Sequence, residues 1–216
     1  MPAHLLKFGG LLLPFMLSGC LTVQPVDTRA VIHIKTVHFV QAIHLPQDMI
    51  YRSLSESYAT SWGGAAAGLL VSALAMPAAA GGHRAMLKCI QDNHIDMAAI
   101  LRQEFVKTVA AKGPFVIVAD NVPADADLSL NVDQYGLSVS NAFSTSMYGY
   151  LVVTAVVIVP GGKVLWQGSN GVGPHDGDRK GYSPDDFLAA PERITQTFAK
   201  AADIASARLL DDVANP

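Results

Sequence analysis

Between Asp125 and Asp133 polar and apolar residues alternate without a break: Asp125, Asp127, Ser129, Asn131 and Asp133 against Ala126, Leu128, Leu130 and Val132. Successive side chains of a strand point to opposite faces, so this pattern predicts a strand with one wet and one buried face. The apolar positions then shift by one, to Tyr135, Leu137 and Val139. A slip of one residue would turn the core face outward, so a bulge is expected near Asp133-Gln134. Residues 148–159 are apolar on both faces, as in a central strand, and Pro160-Gly161-Gly162 turns them into 163–168 as a hairpin. Residues 115–120 form a short, nearly continuous apolar strand. Residues 30–45, rich in Val, Ile, Thr and Phe, predict one further strand, or two divided by a kink.

Helical spacing appears twice. Met97, Leu101, Phe105 and Val109 recur every four residues, with Asn93 as the expected cap, Asp96 three residues on, Lys107 and Lys112 near the C-terminus, and Gly113-Pro114 as the stop. Ser183-Pro184-Asp185-Asp186 opens a second helix with a cap, a proline and first-turn acids, and Pro191 restarts it. Ile194, Phe198, Ala201, Ala205 and Leu209 then run as one stripe. Assembled, these elements predict an α+β chain. Its architecture is a two-layer sandwich of a mainly antiparallel sheet with two helices, plus a Gly/Ala-rich helical insertion.

That insertion, residues 59–82, carries no charged side chain and is mostly Gly and Ala. Gly64, Gly68 and Ser72 recur every four residues, the small-residue spacing that lets helices approach closely in a membrane. The segment resembles the glycine zippers of some bacterial envelope proteins. Its few strongly apolar residues and Pro77 leave three readings open: a helix or hairpin packed on the domain or a like partner, a loop at the membrane interface, or an inserted oligomeric segment.

The N-terminus has an address. Lys7 and the free amine precede an apolar run over residues 8–17, long enough for a signal peptide and too short to span a bilayer. The run closes on Leu17-Ser18-Gly19-Cys20, which resembles the lipobox of bacterial lipoproteins. The resemblance implies that residues 1–19 are removed, that Cys20 is acylated and that residues 20–29 form a tether. A single periplasmic domain then spans 30–216. Several acyl chains at ~0.8 kcal/mol per buried methylene make such an anchor stable. Leu21 stands where the Asp that resembles an inner-membrane retention signal would be, which favours the outer membrane, facing the periplasm.

Charge and candidate chemistry narrow the function further. The net charge is −3, and the fifteen Lys and Arg are scattered without a run, so nucleic acid is not an expected partner. With Cys20 lipidated, Cys89 has no internal disulfide partner and reads as a buried small residue. His38 and His44 can share one strand face while His33 falls on the other, so the three read as ordinary strand residues; no metal site is expected. The loop 171–182 carries His175, Asp176, Asp178, Arg179 and Lys180. Read as a calcium loop from Asp176, it puts Lys180 at the fifth position and Phe187 at the twelfth, where an acidic ligand is required, so it is no EF-hand. No G-x-S-x-G or similar nucleophile motif accompanies His175 and Asp176, and hydrolase chemistry is the third-ranked reading.

The 125–128 Asp-Ala-Asp-Leu strand and the 162–167 Gly-Lys-Val-Leu-Trp-Gln hairpin are similar to parts of small α/β envelope lipoproteins, such as the lipopolysaccharide-assembly lipoprotein and penicillin-binding-protein activators. The Gly/Ala insertion departs from those families. The expectation is a non-enzymatic, outer-membrane-anchored periplasmic lipoprotein that serves as an accessory or adaptor for an envelope assembly. It needs no cofactor beyond the covalent lipid on Cys20. Its expected partners are the membrane, reached through that anchor, and an envelope protein of unknown identity. The alternative is a membrane-active homo-oligomer packed through Gly64, Gly68 and Ser72.

Overall fold

A computed structural model describes residues 33–40, 42–52, 81–141, 143–176 and 179–214. The expectations for the signal peptide, for Cys20 and for Gly64, Gly68 and Ser72 lie outside these described residues. In chain order come β1 (Thr36–Phe39), β2 (Ile50–Arg52), a helix α1 over 81–92, α2 (Met97–Lys112), β3 (Val116–Val118), β4 (Ala126–Val139), β5 (Met147–Ile158), β6 (Val164–Val172), α3 (Pro184–Ala189) and α4 (Glu192–Ala214).

The fold is α+β. One mixed sheet runs β3-β1-β4-β5-β6, with β2 also pairing β4. The β4–β5 and β5–β6 pairings are antiparallel and long; β1–β3, β1–β4 and β2–β4 are parallel and short. Parallel neighbours need a crossover, and α1 and α2 supply it between β1 and β3. Packing of α2 on α4, and of α4 on β5 and β6, forms the second layer.

The bulge falls where the alternation breaks. Register in the β4–β5 ladder shifts between Val132 and Gln134. The Asp133 carboxylate accepts from Thr154 Oγ1 at 2.6 Å, and beyond the shift Leu137 and Val139 are buried while the Tyr135 ring meets Phe198 at 6.3 Å. The β5–β6 hairpin turns through Gly161 and Gly162, both at positive φ (100° and 84°). Strand β5 is central as expected. Its Met147, Leu151, Val153, Ala155 and Val157 are buried and alternate with half-buried residues on the other face.

Both helical stripes face the core. Met97, Leu101, Phe105 and Val109 are buried, as are Ile194, Phe198, Ala201, Ala205 and Leu209. Ser183 and Asp186 form the reciprocal capping box of α3, with Pro184 at its start. One cap is corrected. Asn93 does not cap α2: its amide donates to the Cys89 carbonyl at 2.8 Å and closes α1, after which His94 (φ 51°) reverses the chain. Asp96 is the N-cap, its Oδ1 accepting from Ala98 N at 2.9 Å and Ala99 N at 3.1 Å. Asn suits either end of a helix, and the preceding helix α1 decides which.

The long N-terminal strand shrinks to Thr36–Phe39, with a lone bridge from His44 to Asn131. Strand β2, three residues long, had no periodic signal. It lies where β4 carries Gly136, at which an added Cβ would come within 1.8 Å of the Ile50 carbonyl oxygen. Glycine there admits a neighbouring backbone that any side chain would exclude.

Candidate functional site

Described residues of the polar loop after β6 form part of the rim of a small cavity. Strand β6 leaves the β5 edge at Val172, which pairs with Leu151. The chain returns at Tyr182, whose N–H and C=O both pair with Met147 (3.2 and 2.8 Å). Between these points no described residue adds a strand to the β5 edge, and Arg179 takes its place. Its Nη1 donates to the Gly149 carbonyl at 2.9 Å, Nε donates to the Asp176 carbonyl at 2.8 Å, and Nη2 donates to the Gly173 carbonyl. The guanidinium also lies 5.9 Å from the Tyr148 ring centre.

A second arginine holds the loop from the helix layer. Arg208, on α4, donates from Nη1 to the Gly171 carbonyl and from Nη2 to Asp176 Oδ1 at 2.6 Å. The Asp176 carboxylate accepts from the Gly173 N–H as well. The Arg208 hydrogen bond, then the Gly173 N–H, hold the Asp176 carboxyl below the usual carboxylate range. Burial pushes the half-buried Arg179 guanidinium down from its ordinary value, opposed by Asp176. It stays cationic.

The resulting cavity, about 120 Å³, opens between the loop and α4. Arg179, Lys180 and Lys200 line it together with Tyr148, Tyr182, Gln196 and Thr197. Lys180 Nζ lies 5.2 Å over the Tyr182 ring, and Arg193 sits at the same distance from that ring. The Thr197 hydroxyl is buried and has no hydrogen-bond partner among the described residues. Arginine and lysine donors around such a space suit an anion rather than a cation.

The other candidates are placed elsewhere. His175 is exposed at the loop tip, while Asp176 turns toward Gly173 and Arg208. His38, on β1, contacts the Val122 carbonyl at 2.6 Å and stands 3.4 Å from Asp127. His33 lies before β1, and His44 after it. Among the described residues no group of three His, Cys, Asp or Glu could hold a metal ion, and no helix is long and apolar enough to cross a membrane. Cys89 is buried and free; burial, then the nearby Asp92, push its thiol up.

Lys200, Thr197, Gln196 and Arg208 carried no motif. Gln196 and Lys200, four apart on a helix, were bound to share a face. That this face would meet residues 179–182 had no signal in the spacing.

No protein-family model matches the chain, and no curated protein matches its sequence. Among the solved structures that are similar in part are two bacterial proteins. One is from Caulobacter crescentus CB15, described only provisionally as a lipoprotein; it is 16% identical over 55% of this chain and 81% of its own, with a TM-score of 0.38. The other is a Xanthomonas campestris protein assigned to the DUF330 family, 14% identical over 52% of this chain and 57% of its own, also with a TM-score of 0.38.

Proposed function

We propose that this chain is a bacterial lipoprotein, anchored through Cys20 in the outer membrane and facing the periplasm, that acts as a non-enzymatic accessory in an envelope assembly. The observation that carries the reading is Leu17-Ser18-Gly19-Cys20 directly after the apolar run of residues 8–17. Residues 21–35 connect that cysteine to β1; at ~3.3 Å per residue they reach at most about 50 Å. The domain is thereby confined to a thin shell at the membrane, which raises its effective concentration toward partners there. Two features of the fold support binding over catalysis. The loop carboxylate Asp176 is committed to Arg208 and Gly173, and β6 ends the sheet with one edge open to strand addition among the described residues.

Expression in a Gram-negative host with an alkyne-labelled palmitate tests the anchor. The wild-type chain should carry the label in the outer-membrane fraction, and Cys20→Ala should carry none. Equal labelling of both, or labelling of neither, would sink the reading. A second reading, a membrane-active homo-oligomer packed through the segment 59–82, is favoured by the spacing of Gly64, Gly68 and Ser72. Replacing Gly64 and Gly68 by Leu should abolish crosslinked oligomers under that reading and leave the accessory reading untouched.

A further inference from the structure

We propose that the cavity at the β5 edge binds a phosphate group, carried by either a membrane lipid headgroup or a soluble phosphate ester. The inference stands on the described residues of this cavity and does not depend on the lipid anchor.

Three cations line the space, from Arg179, Lys180 and Lys200, and no carboxylate does among the described residues. Arg179 is fixed in place by three carbonyl acceptors, all of them neutral. A guanidinium has five N–H donors, so two remain for a ligand. The acid beside it, Asp176, bonds through its carboxylate to Arg208 at 2.6 Å and to Gly173. Arg179 is therefore a half-buried charge whose own hydrogen bonds go to neutral carbonyls, and Asp176, shared with Arg208, compensates it only in part. An anion in the cavity would complete that compensation.

Thr197 lines the same cavity from α4, but its hydroxyl is buried out of reach of a ligand oxygen. The amide of Gln196 and the phenol of Tyr182 offer further donors at the rim. Lys200 bonds to Asp203 at 2.9 Å, an exposed pair three residues apart on the helix that a more highly charged anion can displace. A tetrahedral oxyanion with several acceptor oxygens fits this spread of donors, and the planar fork of Arg179 matches two of them at once. The volume, about 120 Å³, admits a phosphate-sized group.

The full chain in maltoside micelles, which carry no phosphate, is titrated calorimetrically along two arms. One uses inorganic phosphate and glycerol 3-phosphate; the other uses micelles holding rising fractions of phosphatidylglycerol. Saturable binding of the soluble anions supports the proposal with a soluble ester as source. Saturation only with phosphatidylglycerol supports it with a headgroup as source. In either case Lys180→Gln with Lys200→Gln should weaken binding about tenfold or more, the loss of charge-assisted hydrogen bonds. Thr197→Val should leave binding intact and the unfolding midpoint unchanged or raised, because it removes a buried unsatisfied group that the ligand does not reach. Absence of saturation on both arms overturns the proposal. So does binding that the lysine pair leaves unchanged.

Discussion

The two halves of the sheet are built on different terms. On one side, β4, β5 and β6 pair antiparallel over long ladders, from Asp127 with Ile158 to Val139 with Met147, and are joined by nearby turns. On the other, β1, β2 and β3 are three or four residues long and pair in parallel across distant chain segments. Short parallel ladders supply few hydrogen bonds, so side chains must hold them. The Asp125 carboxylate accepts from Lys35 N (2.9 Å), Thr36 N (3.0 Å) and Thr36 Oγ1 (3.1 Å), clasping β1 to the start of β4. The Phe39 ring seats on Phe105 of α2 at 5.8 Å, and the Arg102 guanidinium of the same helix lies 5.7 Å from its centre. In the antiparallel half, side-chain bonds such as Thr154 to Asp133 add to ladders already paired along their length, and the clasp around Asp176 lies where the edge strand departs. Local pairing pays little loop-closure entropy; distant pairing must be pinned.

The largest effect expected is in the antiparallel half. Phe198→Ala removes a fully buried ring between α4 and Tyr135 and should cost about 3–5 kcal/mol in urea unfolding. The loss should fall on the whole domain in one transition. A second transition, leaving β1–β3 folded, would break the comparison. Gly136→Ala comes next, because its methyl cannot coexist with the Ile50 carbonyl. Amide exchange should speed up across Ile50–Arg52 while β5 keeps its protection. Uniform loss of protection would show that the parallel half has no separate stability.

Acid should loosen the clasps. Backbone N–H groups of Lys35 and Thr36 lower the Asp125 pKa from its ordinary 3.8. A carboxyl depressed in the folded state stabilises fully above its unfolded pKa, and the stabilisation is lost as pH falls through the lower folded value. Asp125→Asn should therefore unfold at lower urea than wild type at pH 7, with the gap closing below pH ~4. Asp176→Asn should follow the same course, since Arg208 and Gly173 depress that carboxyl too. A gap that does not close with acid would remove the charge from the account. The smallest effect concerns Cys89, whose thiol is pushed up by burial. In a Cys20→Ser chain, iodoacetamide should modify Cys89 slowly at pH 7.5 and rapidly after unfolding. Fast native labelling would mean that α1 opens readily from the core.

Much of this was readable from single segments. The Asp125–Asp133 alternation announced a half-buried strand, the parity flip announced the bulge, and the glycines after Pro160 announced the hairpin. Each is a local rule whose period or turn chemistry sits within a dozen residues. The cap of α2 was legible as a motif and assigned to the wrong residue, because Asn93 serves the end of α1 instead.

By itself, then, the sequence determined the α+β class, the antiparallel ladders, the core stripes of α2 and α4, and the expectation of a lipid anchor at Cys20. Only the tertiary structure decided that β1, β2 and β3 pair in parallel, that Asp125 clasps β1, and that Arg179, Lys180 and Lys200 converge on one cavity with Thr197. The physical reason is separation along the chain. Periodicity and caps act between near neighbours, whereas a parallel partner or a three-cation pocket exists only once distant segments are packed side by side.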